Sequence, residues 1–274
     1  MSWQLGRWAV LARVLLRAVL KVGLCLVVTS RVWCQTDEAI EPDVMPEGLP
    51  VSRAQAVPSR HRSAPVEFIV VSGGPALRFY ENEKELPHDR YFANFIDSAI
   101  FKIRHLIEEL LPGDLLTWLV YRPGYEMRSK EQGIDTLAFI REKANSAPPT
   151  RLLWFDTTDQ LINYLNRGQD RRKIKIASFD FFGHSNKKCF MFDYSNEFDG
   201  KSIEYLHERD LVRIRSDIFT EDAQAKSWGC HSGESYSVAW RQRFGFPMIG
   251  AIGKTDYSKG GWPVLSSKGG RWVQ

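Results

Sequence analysis

The sequence predicts an α/β fold with a mostly parallel sheet covered by helices on both faces. Apolar β-branched runs such as VEFIVVS and LLTWLVY are long and uninterrupted, as in strands buried on both sides. Between them lie stretches whose apolar residues recur every three or four positions, and Gly or Pro punctuates nearly every junction. Strand and helix alternating along one chain specify parallel pairing through crossovers. With 274 residues, 43% of them hydrophobic and 26% charged, the chain is long enough to bury one sizeable core, which excludes wholesale disorder and a disulfide scaffold.

The first 34 residues stand apart. Arg7, Arg13, Arg17, Lys21 and Arg31 occur there without a single acid, and an apolar run follows Lys21. That run is about half the ~20 residues a membrane span requires, so residues 1–34 are expected to be a secretory signal rather than an anchor. Cleavage is expected after Ser30 or after Cys34, leaving no stable membrane insertion. A lipoprotein is not expected, because Arg31, Val32 and Trp33 place no small residue before Cys34. Removing those five bases from the 37 leaves 32 against 33 acids, so the folded part has no global basic footprint and no nucleic-acid partner is expected. Residues 35–64 are rich in Pro, Ser and charge without periodicity and read as a flexible linker, leaving 65–274 as the folded domain.

Within that domain Val66–Ser72 reads as a strand stopped by Gly73, Gly74 and Pro75. Phe92 through Leu110 carries an amphipathic helix ended by Pro112 and Gly113. Leu115–Tyr121 is the next strand, with Arg122, Pro123 and Gly124 turning out of it. A helix near Asp135–Ala144 precedes a short strand at Leu152–Phe155. Thr157 and Gln160 form a capping box that opens a helix closed by Gly168. Arg171, Arg172 and Lys173 read as a solvated turn before the strand Ile174–Phe182. Cys189–Tyr194 suggests a short strand or hairpin, Ile203–Ile214 a helix, Ala225–Gly229 a strand, Tyr236–Phe244 a helix and Pro247–Gly253 the last of about six strands.

Two strand ends carry chemistry. Ile174–Phe182 runs into Gly183, His184, Ser185 and Asn186, and Ala225–Gly229 runs into Cys230, His231, Ser232 and Gly233. Ligands of open α/β sheets bind at the carboxyl ends of strands. A thiolate is a strong nucleophile, and an imidazole beside it stabilises it and can protonate a leaving amine. His184 and Cys230 are therefore the candidate catalytic pair. His231 is the poorer base, since adjacent side chains of an extended chain point oppositely. Gly229 and Gly233 flank the cysteine in a sharp turn where backbone N–H groups can face an oxyanion. The bland readings are a buried structural Cys230, a capping His184 and a Cys189–Cys230 disulfide, with Cys189 itself read as core.

Here the chain resembles the caspase-like superfamily of cysteine peptidases, which includes caspases, legumains, gingipains and separases. SFDFFGHSN is followed 46 residues on, from 184 to 230, by AKSWGCHSGES, and the order of elements from Val66 to Gly253 fits as well. The resemblance implies a caspase-like domain, peptide-bond hydrolysis of a polypeptide substrate, His184 as base, Cys230 as nucleophile and no cofactor. It differs in placing Ser185 after the histidine, where the family has Gly, and Gly183 before it; an oxyanion donor there is worth roughly 10²–10³ in rate. The expected function is an exported cysteine endopeptidase, secreted or periplasmic. The alternative is a catalytically inactive domain of the same fold used for binding. The family's substrate loops would here offer Arg78, Glu234 and Asp256, the two acids favouring a basic side chain. Asp180 and Asn186 are candidates to orient His184, with a backbone carbonyl as the equal alternative, since Asp180 belongs to the preceding strand. A zinc site from His184, Cys189, His207, Cys230 or His231 lacks paired short spacings, so no metal is expected. A hydrolase elbow at Gly183–Lys187 lacks its final Gly.

Overall fold

The computed structural model describes residues 62, 64–76, 90–193 and 203–274. The expected signal, the linker apart from Arg62 and Ala64, and Arg78 lie outside the described residues. The chain enters through strand β1 (Val66–Ser72), helix α1 (Asn94–Ile107), β2 (Leu115–Tyr121), α2 (Arg122–Gln132), α3 (Thr136–Asn145), β3 (Arg151–Phe155) and α4 (Thr158–Arg167). It continues through β4 (Lys175–Phe182), β5 (His184–Ser185), β6 (Cys189–Met191), β7 (Tyr205–His207) and β8 (Phe219–Ser227). Helix α5 (Tyr236–Phe244), β9 (Met248–Ile252), β10 (Thr255–Asp256), β11 (Val264–Leu265) and β12 (Arg271–Val273) complete it.

The central sheet has seven strands in the order β12-β9-β8-β4-β1-β2-β3, all pairs parallel except β12 with β9. The expected count of about six omitted β12, whose three residues are too few to show an alternation. β1 is buried along its whole length and feeds both layers by alternation. Ile69 and Val71 pack with Phe179, Phe181, Leu161 and Leu165 and with Tyr236 and Trp240 of α5. Phe68 and Val70 pack with Trp118 and Val120 and with Ile96, Ile100 and Ile103 of α1 and Ile140 of α3. Helices thus cover both faces, as expected.

Three local expectations are corrected. Arg122–Gly124 is not only a turn but the opening of α2, with Pro123 in the first turn, where its missing N–H costs nothing. Gly124 is there because a Cβ would lie 3.0 Å from Gly74 Cα, so the two backbones touch as β1 exits. Ile203–Ile214 is not a helix but β7 followed by a 3₁₀ turn, Glu208–Arg213. Tyr205–His207 pair antiparallel with β6, which draws the start of this segment into a sheet instead of a helix. The Arg171–Lys173 turn is not wholly solvated: Arg171 is 3% exposed, and its Nη1 donates to Glu67 Oε2 at 2.5 Å. The capping box is also modified, since Thr157 accepts from Gln160 N–H while Gln160 Oε1 accepts from Asp156 N–H.

This topology positions the site. From β1 the chain moves outward through β2 to β3, then returns to the other side of β1 for β4, β8 and β9. Direction reverses between β1 and β4, and at such a reversal the loops leaving the strands' carboxyl ends diverge and leave a crevice.

Candidate active site

β4 and β8 are direct neighbours, and at their shared carboxyl edge they deliver His184 and Cys230. The ladders extend slightly past the strands: Gly73 N–H donates to Phe182 O at 2.8 Å and Trp228 N–H to Phe181 O at 2.9 Å. The loops after β4 and β8 are in contact. Ser185 Oγ donates to Cys230 O at 2.5 Å, and a Cβ on Gly229 would lie 2.2 Å from Ser185 Oγ and 2.9 Å from Gly183 O. Only glycine lets these two turns approach so closely.

Cys230 is a half-buried free thiol, and Cys189 is free as well, so the disulfide reading is excluded. The His184 ring, half-buried, meets the Phe95 ring edge to face with centroids 4.9 Å apart, and Phe95 meets Tyr257 in the same way at 4.8 Å. Tyr257 Oη donates to Trp228 O at 2.9 Å. Burial pushes its phenol up, and negative charge on Cys230 would add to that rise. Phe95 and Tyr257 thus form an aromatic wall running from the histidine to the cysteine turn.

The sulfur itself is held by the loop after β9. Thr255 N–H donates to Cys230 Sγ at 3.3 Å, and Thr255 Oγ1 lies at 3.5 Å. Next to it, His231 has φ +60, the one non-glycine residue with positive φ among the described residues. That conformation costs of order 1–3 kcal/mol and persists only when its surroundings impose it. The extended-chain alternation that sets His231 facing away from Cys230 therefore does not hold. His231 Nδ1 lies 2.5 Å from Glu234 Oε1, Lys187 Nζ lies 2.9 Å from Glu234 Oε2, and Gly253 N–H donates to Glu234 Oε1 at 3.3 Å. These contacts, the His231 bond first, push the Glu234 carboxyl down to about 2.

The other sequence candidates are engaged elsewhere. Of the residues expected to line the substrate site, Glu234 makes the contacts above, and Asp256 accepts from Ser258 N–H and Oγ at 2.8 Å each. Of the four expected oxyanion positions, Gly183, Ser185, Gly229 and Gly233, two have N–H groups engaged: Gly233 N–H donates to Ala251 O at 2.9 Å and Gly229 N–H to Ser227 Oγ at 3.3 Å. Asp180 takes Trp228 Nε1 at 3.0 Å and Lys102 Nζ at 3.5 Å, bracing the floor of the cysteine turn. Asn186 Oδ1 accepts from Lys188 N–H at 2.8 Å and Cys189 N–H at 3.0 Å, closing the β5–β6 turn. Burial raises the Cys189 thiol, consistent with its reading as core. Among the described residues no group of three or more His, Cys, Asp and Glu is placed to hold a metal, and no helix is long and apolar enough to cross a membrane.

Sequence reasoning missed Thr255, Phe95 and Tyr257. Lys254–Asp256 reads only as the end of a strand, and Phe95 only as one more apolar position of α1; an aromatic or hydroxyl residue just past a strand end was the available signal. No family model, curated protein or solved structure matches the chain.

Proposed function

We propose that the chain is a caspase-like cysteine endopeptidase that hydrolyses polypeptides, with Cys230 as nucleophile and His184 as general base and acid. The observation that carries the reading is the delivery of His184 and Cys230 by adjacent parallel strands, beside the point where the sheet reverses direction. Two groups fixed at one rigid edge can act on one carbonyl without a search for geometry. In the proposed reaction the Cys230 thiolate attacks the peptide carbonyl carbon, and the His184 imidazolium protonates the departing amine as the C–N bond breaks. A thioester remains. Water, giving its proton to His184, then attacks it and releases the new carboxylate and the thiolate. With the basic, acid-free first 34 residues, the enzyme is read as exported.

The test treats the full chain with a thiol-directed electrophile, maps the adduct by mass spectrometry, and follows cleavage of a peptide library. Expected are labelling at Cys230, cleavage abolished in Cys230→Ala, and a fall of roughly 10²–10⁴ in His184→Ala. No labelling at Cys230 across a wide pH range would overturn the reading. A labelled thiol that cleaves no peptide would turn it toward the inactive binding domain.

A further inference from the structure

Four residues after the nucleophile, the Glu234 carboxylate lies on the Cys230 turn and reaches across to the loop that follows β9. One oxygen, Oε1, holds both sides: His231 Nδ1 at 2.5 Å on the turn and Gly253 N–H at 3.3 Å on the loop. The same two strands of chain are joined again by His231 N–H to Gly253 O at 2.7 Å and by Gly233 N–H to Ala251 O at 2.9 Å. Two residues beyond Gly253, the loop presents Thr255 N–H to Cys230 Sγ at 3.3 Å. We infer that Glu234 is a positioning residue, which clasps the loop after β9 to the nucleophile turn and so holds the Thr255 amide against the Cys230 sulfur.

The inference rests on the reading of Cys230 as nucleophile and names a device that prepares it. An N–H aimed at sulfur favours the anionic, reactive form over the thiol, but only while its direction is kept. Gly253, at φ +90, turns the chain out of β9; beyond it the segment is held on its outer side by β10–β11 pairing and by Lys254 N–H to Ser267 Oγ at 2.8 Å, and on its inner side by the bonds to the cysteine turn, of which Glu234 supplies the side-chain one. The strained φ of His231 fits the same account: it turns the ring to the carboxylate three residues on. The charged and titratable groups around the clasp are Lys187 on Glu234 and His231 within it, with His184 and Tyr257 against the Phe95 ring.

The test is the rate of iodoacetamide alkylation at Cys230 in the full chain, read from the Cys230 peptide by mass spectrometry between pH 5 and 9, with a thermal melt of each variant. Glu234→Ala is expected to slow alkylation about tenfold near pH 6–7, the scale of one hydrogen bond to a charged group, with the deficit closing toward pH 9 as more thiolate forms regardless. Glu234→Gln keeps an oxygen acceptor without the charge and is expected to lose about threefold; it also carries the test if Glu234→Ala does not fold. Thr255→Val removes the hydroxyl but not the amide, and a loss smaller than that of Glu234→Ala is expected. Folded Glu234 variants whose profiles superimpose on wild type overturn the clasp, and a uniform loss at all pH values does so too, because it marks altered access rather than altered thiolate. Alkylation is read independently of peptide cleavage, so failure of the clasp leaves the peptidase reading standing, and absence of cleavage leaves the clasp testable.

Discussion

Removing Arg171 is expected to destabilise the fold severely while sparing the chemistry of Cys230. Arg171 and Glu67 are 3% and 0% exposed, and Nη1 meets Oε2 at 2.5 Å. The other carboxylate oxygen accepts from Thr117 Oγ1 and Tyr164 Oη, both at 2.6 Å. Arg171 also donates to Leu165 O at 2.7 Å and to Ile174 O at 3.3 Å, tying the α4–β4 connection to β1. Arg171→Met leaves the Glu67 carboxylate buried with two hydroxyl donors and no cation. Breaking a buried pair from one side costs about 3–5 kcal/mol. In a domain of this size, where each kcal/mol shifts Tm by about 2–4 °C, the melting temperature should fall by about 6–20 °C. Adding Glu67→Gln removes the stranded charge, so the double variant should regain more than half of the loss. Glu67 lies five residues below the carboxyl end of β1, about 17 Å at strand rise, so Cys230 alkylation at 25 °C should match wild type. Thermal melts and urea titrations of the three variants measure the effect. A loss below about 1 kcal/mol, or a double variant no better than Arg171→Met, would refute the account.

Gly229→Ala drives a methyl into Ser185 and the Gly183 carbonyl and should cost about 1–3 kcal/mol together with most Cys230 reactivity. Ser185→Gly in that background relieves the side-chain clash but not the carbonyl, so urea titration should show partial recovery only. For Glu234 the folded carboxyl lies below its ordinary 4.5, at about 2, so the fold favours its charged form. Its stabilisation is therefore full above about pH 4.5 and drains away as pH falls toward 2. Glu234→Gln lacks that contribution, and its Tm deficit against wild type should shrink across this window; a deficit constant with pH would contradict it. Expressed in an export-competent host, the mature chain should begin near Arg31 or Gln35, by N-terminal sequencing; intact Met1 on soluble cytoplasmic protein would contradict export.

The architecture was legible because local pattern and tertiary role coincide in its main elements. VEFIVVS and LLTWLVY are apolar at most of the positions that a doubly covered strand buries, with Glu67, Ser72 and Thr117 as buried polar exceptions, and Phe92–Leu110 keeps one helical face apolar. His184 and Cys230 were legible for a related reason: each follows a recognisable strand at a glycine-marked exit, and parallel strands bring such exits to one edge. α2 was not legible, having no apolar stripe, and its start was concealed by the same Pro and Gly that mark turns. β7 was not legible because three residues are too few to set a period. Arg171 read as solvated beside Arg172 and Lys173, since only the meeting of the α4–β4 connection with β1 puts a buried carboxylate opposite it. The clasp on the cysteine turn belongs to the same class. Thr255 lies 25 residues from Cys230, and its amide reaches the sulfur only because β9 pairs beside β8 and returns its loop to that edge. The left-handed turn of His231 toward Glu234 is likewise imposed by contacts across that gap. Local apolar pattern determined the elements and the edge on which the candidate residues stand; register between distant strands, which no local period encodes, decided what each of those residues touches.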